Sequence, residues 1–206
     1  MKKEKAEIVI QKLSTIYENK PALTYNTTYQ LLIAVILSAQ CTDERVNLVT
    51  KELFKNYGTP EEMVKLTNAQ LEKKIFSIGL YKNKAENILK ASKKIIENFE
   101  GKVPDNFEDL LTLDGVGRKT ANVVLSVGFN KPAIAVDTHV FRVSNKIGFS
   151  KGKTPEKVEE DLKKLIRKEL WSSTHHYLIY HGRRVCKARK PNCENCIIKE
   201  DCESKG

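Results

Sequence analysis

Four of the chain's five cysteines stand close together near the C-terminus: Cys186, Cys193, Cys196 and Cys202, separated by six, two and five residues. Thiolates are soft ligands, and four of them suit either a tetrahedral zinc ion or a [4Fe–4S] cluster. In a reducing compartment such a group is more often a metal site than a disulfide framework. Zinc ribbons usually bring two tight Cys-x2-Cys knuckles, and this chain has one, Cys193 with Cys196. A second chemistry-bearing segment is Leu113-Asp114-Gly115-Val116-Gly117-Arg118-Lys119-Thr120-Ala121. Its glycines permit unusual backbone angles and let bare main chain approach a phosphate. Amides at the start of the helix that follows, with its dipole, then face the anion. Such a turn either grips a DNA backbone without reading sequence, with Gly115, Gly117 and Arg118 as its contact candidates, or is a plain αα-turn whose glycines serve geometry alone. The third segment is Ala135-Val136-Asp137-Thr138-His139. Asp137 stands just ahead of a helical pattern, where it caps the helix and is itself held ionised. His139 either contacts the DNA backbone or packs near the turn.

These residues need elements to position them, and the helix signals dominate. A short helix, roughly 107–112, precedes the glycine turn, and an apolar helix, roughly 118–127, follows it: together they make a helix-hairpin-helix. Thr59-Pro60-Glu61-Glu62 and Thr154-Pro155-Glu156 each place a capping residue before a proline at the first helical position. Thr67 with Gln70 is a candidate capping box. Gly79 is expected to end the helix that this box starts, and Gly101 the next one, which starts near Lys82. Val158, Leu162, Leu165 and Ile166 recur at helical spacing. The apolar run Leu31–Leu37 reads as a buried helix, and Ala133–Val136 as an extended connector after Pro132. No stretch alternates as a strand. The prediction is an all-α chain with an irregular cysteine-rich loop at its C-terminal end, and Cys41 as a separate buried thiol.

Composition narrows the partners. The chain has 206 residues and a formal net charge of +10, which suits a polyanion, nucleic acid before membrane. Lysine-rich surfaces are also simply soluble, so charge alone does not decide. The N-terminus is basic but lacks the apolar stretch of a secretory signal. The longest apolar run falls far short of the roughly 20 residues that span a bilayer. A cytoplasmic, nucleoid-associated protein without membrane contact is expected.

Through the full segment Gly115–Ala121, the aspartate and the cysteine spacing, the chain resembles the endonuclease III family of DNA glycosylases, from Leu31 to Cys202. The six-two-five spacing matches that family's cluster loop, and this resemblance decides for [4Fe–4S] over zinc. It implies a two-lobed fold. A six-helix lobe containing the hairpin spans 22–131, and residues 1–21 with 132–206 form a second lobe with the cluster loop at 186–202. DNA would lie across the cleft. It further implies that Lys119 is the nucleophile, attacking the sugar C1′, expelling a damaged pyrimidine and leaving a Schiff base, with β-elimination at the abasic site. A lysine with the ordinary pKa of about 10.4 is almost wholly protonated near neutrality. Sealing by DNA beside Arg118 and a helix N-terminus would release the amine. Asp137 would stabilise the cationic sugar. Gln40 would fill the space left by the extruded base, and Leu80 would act as a wedge. The basic run Lys187, Arg189, Lys190 reads as a phosphate-binding loop that the cluster holds rigid. The partner is double-stranded DNA with damaged pyrimidines or abasic sites, bound by a monomer. One departure stands out: the hairpin usually has proline before its first glycine, and here that position is Asp114, an acid expected to weaken DNA binding slightly. A related adenine-specific mismatch enzyme usually lacks the lysine and carries a further C-terminal domain. A non-catalytic DNA-binding module would explain the hairpin and the cysteines but not Lys119 with Asp137.

Overall fold

Apolar spacing and caps give a helical chain. The computed structural model describes residues 1–204, and among these there is no β-strand. The chain folds as two compact units, Pro21–Lys131 and Met1–Lys20 with Pro132–Gly206.

The first unit carries α2 (Thr28–Ser38), α3 (Asp43–Leu53), α4 (Pro60–Met63), α5 (Asn68–Ile75), α6 (Tyr81–Phe99), α7 (Phe107–Leu111) and α8 (Arg118–Val123). Where six helices are expected it has seven, of which α4 and α7 are only about one turn long. Every residue of α2 from Tyr29 to Leu37 is buried. A helix apolar on all sides belongs at the centre, and α3, α6 and α8 pack around it. The capping signals work as read. Thr59 with Glu62 and Thr67 with Gln70 form reciprocal boxes, each giving two otherwise orphaned amides a partner. Gly79 does not end a helix. Helix α5 stops at Ile75, and the left-handed residue beyond it is Leu80, with φ 59°. Glu100 and Gly101 both adopt positive φ and close α6, the Gly101 amide donating to the Ile95 carbonyl. Helix α8 continues past Val123 as a π-helical segment, Val124–Gly128, rather than as regular α-helix to Val127.

The second unit is built from α1 (Lys3–Ser14), α9 (Thr138–Ile147), α10 (Pro155–Leu165) and α11 (Trp171–Arg184), with short 3-10 turns at Lys168–Leu170 and Lys199–Asp201. Its core joins Ala6, Val9 and Leu13 of α1 to Val140, Val143 and Ile147 of α9, Val158 and Leu162 of α10, and Leu178 of α11. Ile166 shares that core but is not helical: it is the extended residue after α10. Residues Ala133–Val136 are buried and belong to no helix or strand, so they connect the elements on either side. Helices α9 and α11 approach closely at Gly182, where a Cβ would stand 3.0 Å from Val143 Cγ2 and 3.1 Å from the Arg142 guanidinium.

Candidate functional site

In the hairpin the two glycines do different work. Gly115 has φ +76°, a left-handed conformation that side chains rarely adopt, and a Cβ there would sit 3.0 Å from Asn87 Cβ. Gly117 has an ordinary φ of −95° and nothing within 4 Å of its Cβ position, so its need is for open space. It is the N-cap of α8, and no side chain caps that helix start. Such a start exposes main-chain amides and the positive end of the helix dipole, the elements of an anion site. Arg118 is exposed, its guanidinium 5.0 Å from the centre of the Phe107 ring. Lys119 is exposed in the first turn of α8. Asp114 is half-buried and bears electrostatically on Lys90 of α6, whose pKa is raised first by its bond to Glu86 and in smaller part by Asp114.

Asp137 lies in the other unit and is tied down. Its Oδ1 accepts a 2.7 Å bond from the Val140 amide, so it caps α9 as its position predicts. The connector leading to it is fixed by the buried His175, whose Nδ1 donates to the Ala135 carbonyl at 2.8 Å. His139 is half-buried in the first turn of α9. Burial lowers its pKa; Asp137 opposes this, and Arg142 and Arg183 reinforce it. The shift favours the neutral imidazole, which can donate or accept a hydrogen bond but adds no charge.

Cys186, Cys193, Cys196 and Cys202 all line one pocket of about 150 Å³, with Ile147, His181, Val185 and Ile198 among its other lining residues. Among the described residues, no three Cys, His, Asp or Glu side chains gather as ligands of a single ion. Four sulfurs spread around a pocket suit a multi-iron cluster better than one tetrahedral ion. Burial pushes the Cys186 and Cys196 thiols up, Arg142 partly countering it at Cys186 and an Ile198 main-chain bond at Cys196. Protons must therefore be displaced for these sulfurs to ligate iron. Two residues to which the sequence analysis gave no role here bear on the cysteines. Arg142 donates to the Gly182 carbonyl at 2.9 Å and to the Cys186 carbonyl at 3.0 Å. His181, buried, has its Nε2 3.6 Å from Cys196 Sγ and its Nδ1 3.1 Å from the Tyr17 hydroxyl. Burial lowers His181 to a pKa of about 4. Lys187, Arg189 and Lys190 stand exposed on the loop between the first two cysteines, Lys190 with φ 52°.

Gln40 and Leu80 are both exposed, and both are in the left-handed region, with φ 54° and 59°. Non-glycine residues seldom stay there without a reason. Cys41, expected to be buried, is half-exposed, because α2 ends at Ser38 and the chain has already turned toward the surface.

With this geometry in view, residues 33–168 match the HhH-GPD superfamily of base excision DNA repair proteins, and residues 186–202 match the iron–sulfur binding domain of endonuclease III. Endonuclease III of Rickettsia conorii is 50% identical, over 96% of this chain and 96% of its own. That of Escherichia coli is 47% identical, over 94% and 93%. A trapped endonuclease III–DNA covalent intermediate superposes with a TM-score of 0.94 and 45% identity, covering 100% of this chain and 97% of that one. The chain belongs to the endonuclease III family of base excision DNA repair enzymes. It is accordingly a bifunctional DNA glycosylase and abasic-site lyase, and it carries a [4Fe–4S] cluster.

Proposed function

We propose that this enzyme removes oxidised pyrimidines from duplex DNA with Lys119 as nucleophile and cleaves the resulting abasic site. The observation that carries the reading is an exposed amine, Lys119, at the uncapped, glycine-led start of α8, in a chain 45% identical to an endonuclease III trapped covalently on DNA. The lysine nitrogen forms a bond to C1′ as the glycosidic bond breaks, and the base departs and takes up a proton. The sugar ring opens to an imine on Lys119. Loss of a C2′ proton then expels the 3′ phosphate, and water hydrolyses the imine. Attack requires the neutral amine. Lys119 is in solvent in the chain by itself, so DNA must supply the desolvation that favours the uncharged form. Asp137, placed by its cap bond, opposes the positive charge that develops on the sugar.

Cys186, Cys193, Cys196 and Cys202 hold the cluster in this reading. When bound, the cluster supplies a four-point anchor for the loop, and Lys187, Arg189 and Lys190 on that loop bind phosphates. Gly115, Gly117, Arg118 and His139 contact the DNA backbone, while Gln40 and Leu80 take the place of the extruded nucleotide. The enzyme acts as a monomer and works in the cytoplasm on the nucleoid. No helix among the described residues is long and apolar enough to cross a membrane.

The test is incubation with a thymine-glycol duplex in the presence of borohydride. A stable protein–DNA adduct is expected. Base release without an adduct would point to a monofunctional glycosylase and overturn the lysine mechanism. Protein purified without oxygen should hold about four irons per chain, and zinc in their place would overturn the assignment of the four cysteines.

A further inference from the structure

Lys84 sits in the first turn of α6, four residues after Leu80, and is only 5% exposed. A buried lysine needs its ammonium hydrogen-bonded. Here Nζ donates to the Leu37 carbonyl at 2.9 Å and to the Ala39 carbonyl at 2.6 Å. Those oxygens are at the C-terminal end of α2, where the helix dipole favours a cation, and Ala39 is the residue before Gln40. The Lys84 amide in turn donates to the Leu80 carbonyl at 3.1 Å. One residue therefore grips both left-handed turns: its side chain holds the Gln40 turn and its main chain holds the Leu80 turn. The two turns also lie side by side: a Cβ added to Gly79 would lie 3.5 Å from the Gln40 carbonyl oxygen. Burial lowers the Lys84 pKa, with Cys41 opposing. A cation kept in such a place at that cost has a positional task.

We infer that Lys84 is a positioning residue that locks the Gln40 and Leu80 turns into one rigid unit for opening the duplex. The inference rests on the reading of Gln40 as the residue that fills the vacated stack, and the test separates the two. Glycosylase single-turnover rates are measured on two substrates: a duplex with the damaged base paired, and the same strand opposite a one-nucleotide gap, where no partner base is left to stabilise and extrusion is easy. Lys84→Met removes the donors while keeping the apolar stem. It should slow reaction on the paired duplex about tenfold, the scale of a buried charge-assisted hydrogen bond. On the gapped substrate it should stay within about twofold of wild type. Gln40→Ala should show the same selectivity, and the double variant should be no slower than Gln40→Ala alone. Lys84→Gln keeps two N–H donors without charge and should show the selective loss at smaller size; it decides the matter if the methionine variant does not fold, as judged by circular dichroism and iron content. Equal losses on both substrates, or losses that multiply in the double variant, would mean Lys84 merely stabilises the fold. A Gln40→Ala variant with no selective loss would remove the plug, and the inference with it.

Discussion

The turn that carries Lys119 is shaped by two glycines and leaves its lysine in solvent, whereas the turn that carries Asp137 ties its carboxylate to the Val140 amide and buries the connector behind it. The difference follows from what each group is proposed to do. A nucleophile must travel to C1′ and keep four flexible methylenes to do so. A carboxylate that opposes developing charge works best when it is already in place. The lysine should therefore be removable without structural cost, and the aspartate should not.

Lys119→Gln is the sharpest way to break this comparison. It preserves length and polarity at an exposed position, so stability should change by less than about 0.5 kcal/mol. Borohydride trapping and base release should vanish while affinity for undamaged DNA persists. Full trapping by the glutamine variant would put the nucleophile on another amine.

Next in size are two substitutions at Asp137. Asparagine caps helices as well as aspartate does, so Asp137→Asn should melt at nearly the wild-type temperature yet lose most activity. Asp137→Ala should lose activity and also about 1 kcal/mol of stability. If Asp137→Asn stays active and only the alanine variant suffers, the residue is a cap and nothing more.

A smaller effect is expected at the cluster loop. Changing Lys187, Arg189 and Lys190 together to alanine should weaken binding to damaged and undamaged DNA alike. It should also lower the slope of log affinity against log salt by about 0.9 for each phosphate contact removed. An unchanged slope would show that the loop does not meet DNA.

The sequence carried the parts whose signal is local. Thr59, Thr67, Thr154 and Asp137 announce helix starts because a cap needs only its own side chain and an amide three residues on. The cysteine spacing and the glycine turn are equally local. What escaped was long-range or conformational. Lys84 is one of 36 lysines and arginines, and nothing in its neighbourhood marks it; its meaning comes from carbonyls more than forty residues away. Arg142 and His181 likewise gain their roles only when α9, α11 and the cysteine loop are brought together. The Gly79 reading failed because the strained angle fell on Leu80 instead, a cost that propensity argues against and that only the surrounding contacts sustain.

The smallest expected effect separates the hairpin's two glycines. Gly115→Ala forces a side chain into φ +76° and against Asn87, so the variant should lose on the order of 1–2 kcal/mol, seen as a lower melting temperature. Gly117→Ala meets neither obstacle: its φ is ordinary and its Cβ position is empty. It should cost less than Gly115→Ala, about 0.5–1 kcal/mol, the difference between glycine and alanine at an N-cap. If Gly117 is bare so that a phosphate can approach the first amides of α8, the same methyl should weaken DNA binding several-fold. It should do so for damaged and undamaged duplexes equally, because the contact reads no base. A Gly117→Ala variant that binds DNA as tightly as wild type would show that the space beside α8 is not where the backbone lies. The proposed hairpin contact would then have to move to another face of the turn.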